Sequence, residues 1–84
     1  MHYVYVLLSK TDGDLYTGCT HDLRRRLPEH NAGKVLSTAK RVPLELVYYE
    51  ACHSEKDAFR REKYLKTTYG HRYLRQRLRD YFTG

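Results

Sequence analysis

The chain opens on its most apolar stretch. His2 to Leu8, H-Y-V-Y-V-L-L, is β-branched, aromatic or aliphatic at successive positions rather than at alternate ones. A strand covered on both faces reads this way, so these residues are predicted to form a central strand. Thr11-Asp12-Gly13-Asp14 follows as a tight-turn signal. Leu15 to Thr20 then reads as a second strand, antiparallel to the first, and Leu44 to Ala51 as a third.

Between the second and third strands the period changes. Asp22 is a good helix N-cap, and Leu23, Leu27 and His30 recur on one helical face. Ala32-Gly33-Lys34 ends that helix, with Gly33 near its C-terminal cap. Pro28 falls about a turn and a half in and removes a backbone donor, so a kink or a short irregular turn is expected there. Residues 34 to 43 read as a basic loop. Past the third strand, Ser54-Glu55-Lys56-Asp57 resembles a capping box with Asp in place of Glu, opening a helix that runs to about Thr68. Gly70 is expected to break it. His71 to Phe82 then reads as a last helix that buries Leu74, Leu78, Tyr81 and Phe82. The order is ββαβαα, an α+β fold: one domain over residues 1–84, with a three-stranded antiparallel sheet flanked by helices.

Composition narrows the function classes. No long apolar run is present, so no membrane span is expected, and no basic leader with a cleavage site is visible. Cys19 and Cys52 are too few for a disulfide framework and read as reduced thiols in a cytoplasmic protein. Sixteen Lys and Arg against ten Asp and Glu give a net charge of +6, which points to an anionic partner, nucleic acid before a membrane surface. Nine tyrosines and no tryptophan suit nucleic acid, and suit a small core equally well.

The residues able to do chemistry concentrate between Tyr16 and Asn31. Arg26 and His30 are four apart and so adjacent on a helix. Arginine offers a planar fork for a phosphate, and histidine a proton relay. A surface arginine and a half-buried histidine would show the same spacing. Tyr5 and Tyr16 lie on adjacent strands; on one face their hydroxyls would converge, and a tyrosine beside a metal or an arginine can act as a general acid or base. Strand tyrosines are also ordinary sheet residues. Glu62 follows Ala58 and precedes Leu65 and Tyr69 at i, i+4, i+7, i+11 spacing, which puts a carboxylate in an apolar stripe. One carboxylate with several waters suits Mg²⁺. An ion pair with Lys66, or a buried pair with an arginine, accounts for it equally well. Cys19, His21, Cys52 and His53 lack the spacing of a zinc finger or ribbon. Arg72, Arg75 and Arg79 form a basic stripe that either meets phosphates or is simply solvated.

Taken together these residues resemble the GIY-YIG nuclease family. Tyr3-Val4-Tyr5 stands where G-I-Y would be, and Tyr16-Thr17-Gly18 matches Y-I-G. Arg26 matches the family's arginine ten residues past the second tyrosine, His30 the residue often found four further on, and Glu62 in R-R-E-K-Y-L-K the metal-binding glutamate. The run D-L-R-R-R-L-P-E-H-N-A-G-K is similar to small stand-alone members labelled as like the catalytic domain of the excinuclease C subunit. Two positions depart: Tyr3 replaces the glycine of G-I-Y, and Asn31 is the only asparagine, so the downstream asparagine of some members has no counterpart.

The resemblance implies a one-metal hydrolysis of DNA phosphodiester bonds, structure- or damage-selective, in DNA repair or processing, by a monomer. Glu62 would hold Mg²⁺ or Mn²⁺, and Arg26 would neutralise the scissile phosphate. Tyr5 or Tyr16 would activate or orient the water, and His30 would assist proton transfer. Gly18, Arg25, Asn31, Lys34, Lys40, Arg41 and Lys66 are the expected nucleic-acid contacts. The alternative is a non-catalytic nucleic-acid-binding module that keeps the nuclease fold.

Overall fold

The computed structural model describes residues 1–84. Strands β1 (His2–Ser9), β2 (Leu15–Thr20) and β3 (Leu44–Cys52) form one antiparallel sheet in the order β2-β1-β3. The unalternating apolar pattern of β1 is explained by that central place. Val4 and Val6 pack on one face against Ala58, Leu65 and Leu74. Tyr5 and Leu7 pack on the other with Leu44, ringed by half-buried Tyr16, Leu23, Leu27, Val42 and Leu46. The helices α1 (Leu23–Asn31), α2 (Glu55–Leu65), α3 (Thr68–Arg77) and the short α4 (Arg79–Thr83) flank the sheet. None is long and apolar enough to cross a membrane. No buried side-chain nitrogen or oxygen lacks a hydrogen-bond partner.

Helix α1 begins where the sequence predicts, with the Asp22 carboxylate accepting from the Arg25 amide. It runs unbroken through Pro28, so the expected irregular turn is absent. Pro28 and Arg24 are both exposed, so the Arg24 carbonyl that loses its donor has water to turn to. The helix closes in a Schellman motif: Lys34 N–H donates to Glu29 O at 3.0 Å and Gly33 N–H to His30 O at 3.1 Å. Gly33 has φ +75°, a conformation that other L residues adopt only at a cost.

The C-terminal half departs further from its sequence reading. The break falls at Lys66–Thr67, where the Thr67 side chain caps α3 by accepting from Gly70 N–H. Gly70 lies inside α3's first turn, pressed on the end of α2. A Cβ there would clash with the Tyr64 carbonyl and the Leu65 Cα. This glycine therefore permits close helix packing rather than ending a helix. The last helix also splits at Leu78, leaving Leu74 buried, Leu78 half-buried, and Tyr81 and Phe82 exposed. Ser54 starts α2 without any side-chain cap bond, so the capping box does not form. The basic loop contains a 3-10 turn over Leu36–Thr38 whose Thr38 is fully buried.

Candidate active site

The site is built from the β1–β2 ladder. Tyr5 faces Gly18, and Leu7 faces Tyr16, so both tyrosines lie on the face covered by α1. The Tyr5 ring occupies the space over Gly18: an added Cβ would stand 2.5 Å from Tyr5 Oη, 2.6 Å from its Cζ and 3.1 Å from Tyr16 Cε2. Gly18 is itself buried. The nucleic-acid contact expected there is corrected: the missing side chain makes room for Tyr5, not for a ligand.

Tyr5 and Tyr16 do not bond to each other. Their ring centroids are 6.4 Å apart, and both pack edge-on against His30, at 5.6 and 5.2 Å. His30 is fully buried and held at both nitrogens, Nε2 2.7 Å from Tyr5 Oη and Nδ1 2.7 Å from Thr38 Oγ1. Thr38 donates to the Val35 carbonyl at 3.5 Å. The arrangement that satisfies every group has His30 Nδ1–H donating to Thr38 and Nε2 accepting the Tyr5 O–H; the tautomer is assigned from this network. Burial, then the positive charge of Arg26, pushes the His30 pKa down, which favours the neutral ring. His30 is sealed from solvent and meets the rest of the site through its bond to Tyr5.

Arg26 stands beside the Tyr5 hydroxyl. Tyr5 is the largest influence holding the guanidinium protonated, and Nη1 also reaches Glu29 Oε1 at 3.3 Å. Burial pushes the Tyr5 pKa up, Arg26 opposes this, and the charges of Tyr16 and Glu62 add to it. The Arg26 side chain keeps 38% of its surface exposed, enough to meet a phosphate. It lines a polar cleft of about 190 Å³ together with Arg25, Glu29, Thr20 and His21.

Glu62 comes from the opposite side, on α2. Its charge is felt by both Tyr5 and Cys19. The Glu62 side chain is 21% exposed, and Lys66 Nζ lies 3.1 Å from Oε2. Tyr69, expected on the same stripe, sits beyond the helix break and is exposed. An arginine pair of the kind considered for Glu62 is made instead by half-buried Glu50, gripped by Arg61 at 2.9 Å through both oxygens, with Tyr48 donating at 2.7 Å. That clamp ties α2 to β3 one residue before Glu62. No three His, Cys, Asp or Glu side chains gather to hold a metal, which sets aside zinc at Cys19, His21, Cys52 and His53. A lone, partly exposed carboxylate does fit a hard divalent cation that keeps most of its waters and shares a substrate phosphate.

Two other expected contacts also make structural bonds. Asn31 holds Leu44 in both directions, Nδ2 donating to its carbonyl at 2.9 Å and Oδ1 accepting its amide at 2.7 Å. Arg41 grips Asp12 at 2.7 and 3.3 Å and the Asp14 carbonyl at 3.2 Å, closing the β1–β2 turn. In both, the polar groups engage backbone and turn atoms while part of the residue stays open to solvent. Lys34 and Lys40 remain exposed and without a carboxylate partner, Lys66 is exposed but paired to Glu62, and Arg25 is exposed with Glu29 at 3.9 Å. Sequence reasoning missed Thr38, which anchors His30, and Ser37, whose hydroxyl donates to Tyr16 at 3.4 Å. Two hydroxyl residues in a basic loop carry no signal of either role.

Comparison with known proteins agrees with this geometry. The family model described as the GIY-YIG catalytic domain matches residues 1–77. A UPF0213 protein of Streptococcus agalactiae is 48% identical over 65 residues, 76% of this chain and 73% of the relative. One from Halobacterium salinarum is 45% identical over 67 residues, 79% of this chain and 86% of the relative. The solution NMR structure of a UPF0213 protein from Bacillus halodurans matches with a TM-score of 0.55 at 39% identity, covering 87% of this chain and 80% of that one. With its sheet order, its paired tyrosines and a match over nearly its whole length, the chain belongs to the GIY-YIG family of nuclease domains.

Proposed function

We propose that this protein is a divalent-metal-dependent endonuclease that hydrolyses phosphodiester bonds in DNA. The observation that carries the reading is the Tyr5 hydroxyl, bonded to a neutral His30 and flanked by the Arg26 guanidinium. His30 accepts the Tyr5 O–H, so the Tyr5 oxygen turns its lone pairs toward the cation and holds Arg26 in place. Tyr5, 1% exposed, is thus assigned to positioning Arg26, and Tyr16, partly exposed and bonded only to Ser37, to the attacking water. Arg26 balances charge developing on the phosphate, and Arg25 in the same cleft draws the backbone in. Nucleases of this family generally use divalent metal ions. When bound at Glu62, Mg²⁺ or Mn²⁺ supplies Lewis-acid polarisation of the phosphate and stabilises the leaving oxygen. Contacts of this kind go to the backbone, so the proposed selectivity is for substrate shape, such as branches, damage or single strands, in DNA repair or processing.

One observation favours a second reading. Lys66 already occupies an oxygen of Glu62, as it would in a non-catalytic binding module. The two are separated by incubating purified protein with supercoiled, branched and single-stranded DNA in Mg²⁺, Mn²⁺ or EDTA, beside Glu62→Gln and Arg26→Ala. Nicking that needs metal and falls by about a hundredfold or more in both variants supports the nuclease. Cutting undiminished in Glu62→Gln, or binding without turnover on every substrate, contradicts it.

A further inference from the structure

The net charge is not spread over the molecule. Residues 1–59 hold eight Lys and Arg against eight Asp and Glu, whereas residues 60–84 hold eight against two. Several of the eight are spent internally: Arg60 on Asp57, Arg61 on Glu50 and Lys66 on Glu62. On α3 the balance is different. Arg72, Arg75 and Arg77 are exposed and have no carboxylate within 4.0 Å, and the first turn of α3 carries no acidic residue. Arg72 and Arg75 line a shallow groove of about 460 Å³ with Thr68, His71 and Gln76, a set of donors with no acid among them. At its end Tyr69 is 68% exposed, with the Arg72 guanidinium 5.7 Å from its ring centre.

We propose that this face of α3 is a second contact surface for nucleic acid, separate from the Arg25–Arg26 cleft, on which the sugar-phosphate backbone rests beyond the scissile bond. The inference rests on the proposed nucleic-acid substrate and extends it. A solvated helix of ordinary composition interleaves carboxylates with its arginines; this one concentrates unbalanced cations on one element, as a backbone-tracking surface does. The exposed tyrosine adds a stacking platform for an unpaired base. An anionic membrane fits less well, because a helix lying on a membrane needs a free apolar face and α3 buries its own, Gly70 and Leu74, in the protein.

The test is binding of a short fluorescein-labelled duplex in EDTA, followed by anisotropy at several salt concentrations, so that cleavage plays no part. Wild type is compared with Arg72→Gln/Arg75→Gln and with a control of equal charge loss elsewhere, Lys10→Gln/Lys56→Gln, all checked for an unchanged circular dichroism spectrum. The α3 variant is expected to bind at least about tenfold more weakly at low salt and to lose about 2 from the slope of log K against log salt, while the control changes far less. Equal binding by wild type and the α3 variant overturns the inference and leaves the proposed nuclease standing. Equal losses in both variants also overturn it, since net charge alone would then be responsible. If wild type ignores DNA at low salt yet binds phosphatidylserine vesicles through these arginines, the inference and the nuclease reading fall together.

Discussion

Gly18→Ala adds one methyl group and tests how the site is supported. In an ordinary strand, alanine for glycine is favourable by roughly 0.5–1 kcal/mol through backbone entropy. Here the new Cβ would meet Tyr5 Oη at 2.5 Å and Cζ at 2.6 Å. The ring cannot swing away freely, because it is 1% exposed and its hydroxyl is held 2.7 Å from His30. Overpacking of this kind costs about 1–3 kcal/mol, and losing the Tyr5–His30 bond about 1 more. After the backbone gain, a net loss of about 2 kcal/mol is expected, against a total stability of roughly 4–12 kcal/mol for a chain of this length. Urea unfolding should show it directly, and the melting temperature should fall by about 8–16 °C. The cost should shrink to under about 1 kcal/mol in a Tyr5→Leu background, because the clash is with the ring. An unchanged or raised stability in Gly18→Ala would refute the argument that Tyr5 is seated against this glycine.

Other expectations follow from the same contacts. Tyr5→Phe leaves the buried Nε2 of His30 unpaired and Arg26 without its phenol partner, so it should lower both stability, by about 1–3 kcal/mol, and nuclease activity; Tyr16→Phe, losing only a 3.4 Å bond to exposed Ser37, should change stability by less than about 0.5 kcal/mol yet lower activity by about a hundredfold, measured by plasmid nicking and urea titration. His30 has a folded pKa below its ordinary 6.5, so its contribution to stability is fully present above that pH and is lost as pH falls through the lower, folded value. The urea midpoint of wild type should therefore drop on acidification below about pH 6.5 more steeply than that of His30→Gln, and parallel curves would contradict it. Asn31→Ala removes two bonds to Leu44 and should cost about 1–2 kcal/mol while leaving DNA affinity at fixed salt unchanged; weaker binding by the folded variant would mark Asn31 as a nucleic-acid contact.

The strands were legible because burial leaves a period. β1 lacks alternation since both of its faces are covered, and the Asp-Gly turn announces β2. The C-terminal helices were less so. Gly70 looks like a breaker in one dimension, but its use depends on how closely α3 approaches the end of α2. Tyr81 and Phe82 fit an apolar stripe, yet the helix turns at Leu78 before they can reach the core. At the site, spacing along α1 brought out Arg26 and His30, but not that His30 is sealed from solvent and engaged at both nitrogens. Asn31 and Arg41 resembled nucleic-acid contacts because their partners, the Leu44 backbone and Asp12, lie 13 and 29 residues away. Such partners leave no mark in the local pattern.

Tyr5, His30 and Arg26 from the β1–β2–α1 side and Glu62 from α2 are the two halves of the proposed site. The most direct measurement is Mn²⁺-induced broadening of backbone NMR signals in ¹⁵N-labelled protein, with and without a short DNA, in wild type and Glu62→Gln. Broadening centred on Glu62 is expected to extend to Tyr5, Gly18 and Arg26 and to disappear in Glu62→Gln. Broadening that spares Tyr5 and Arg26, or survives the loss of the carboxylate, would contradict the proposed site.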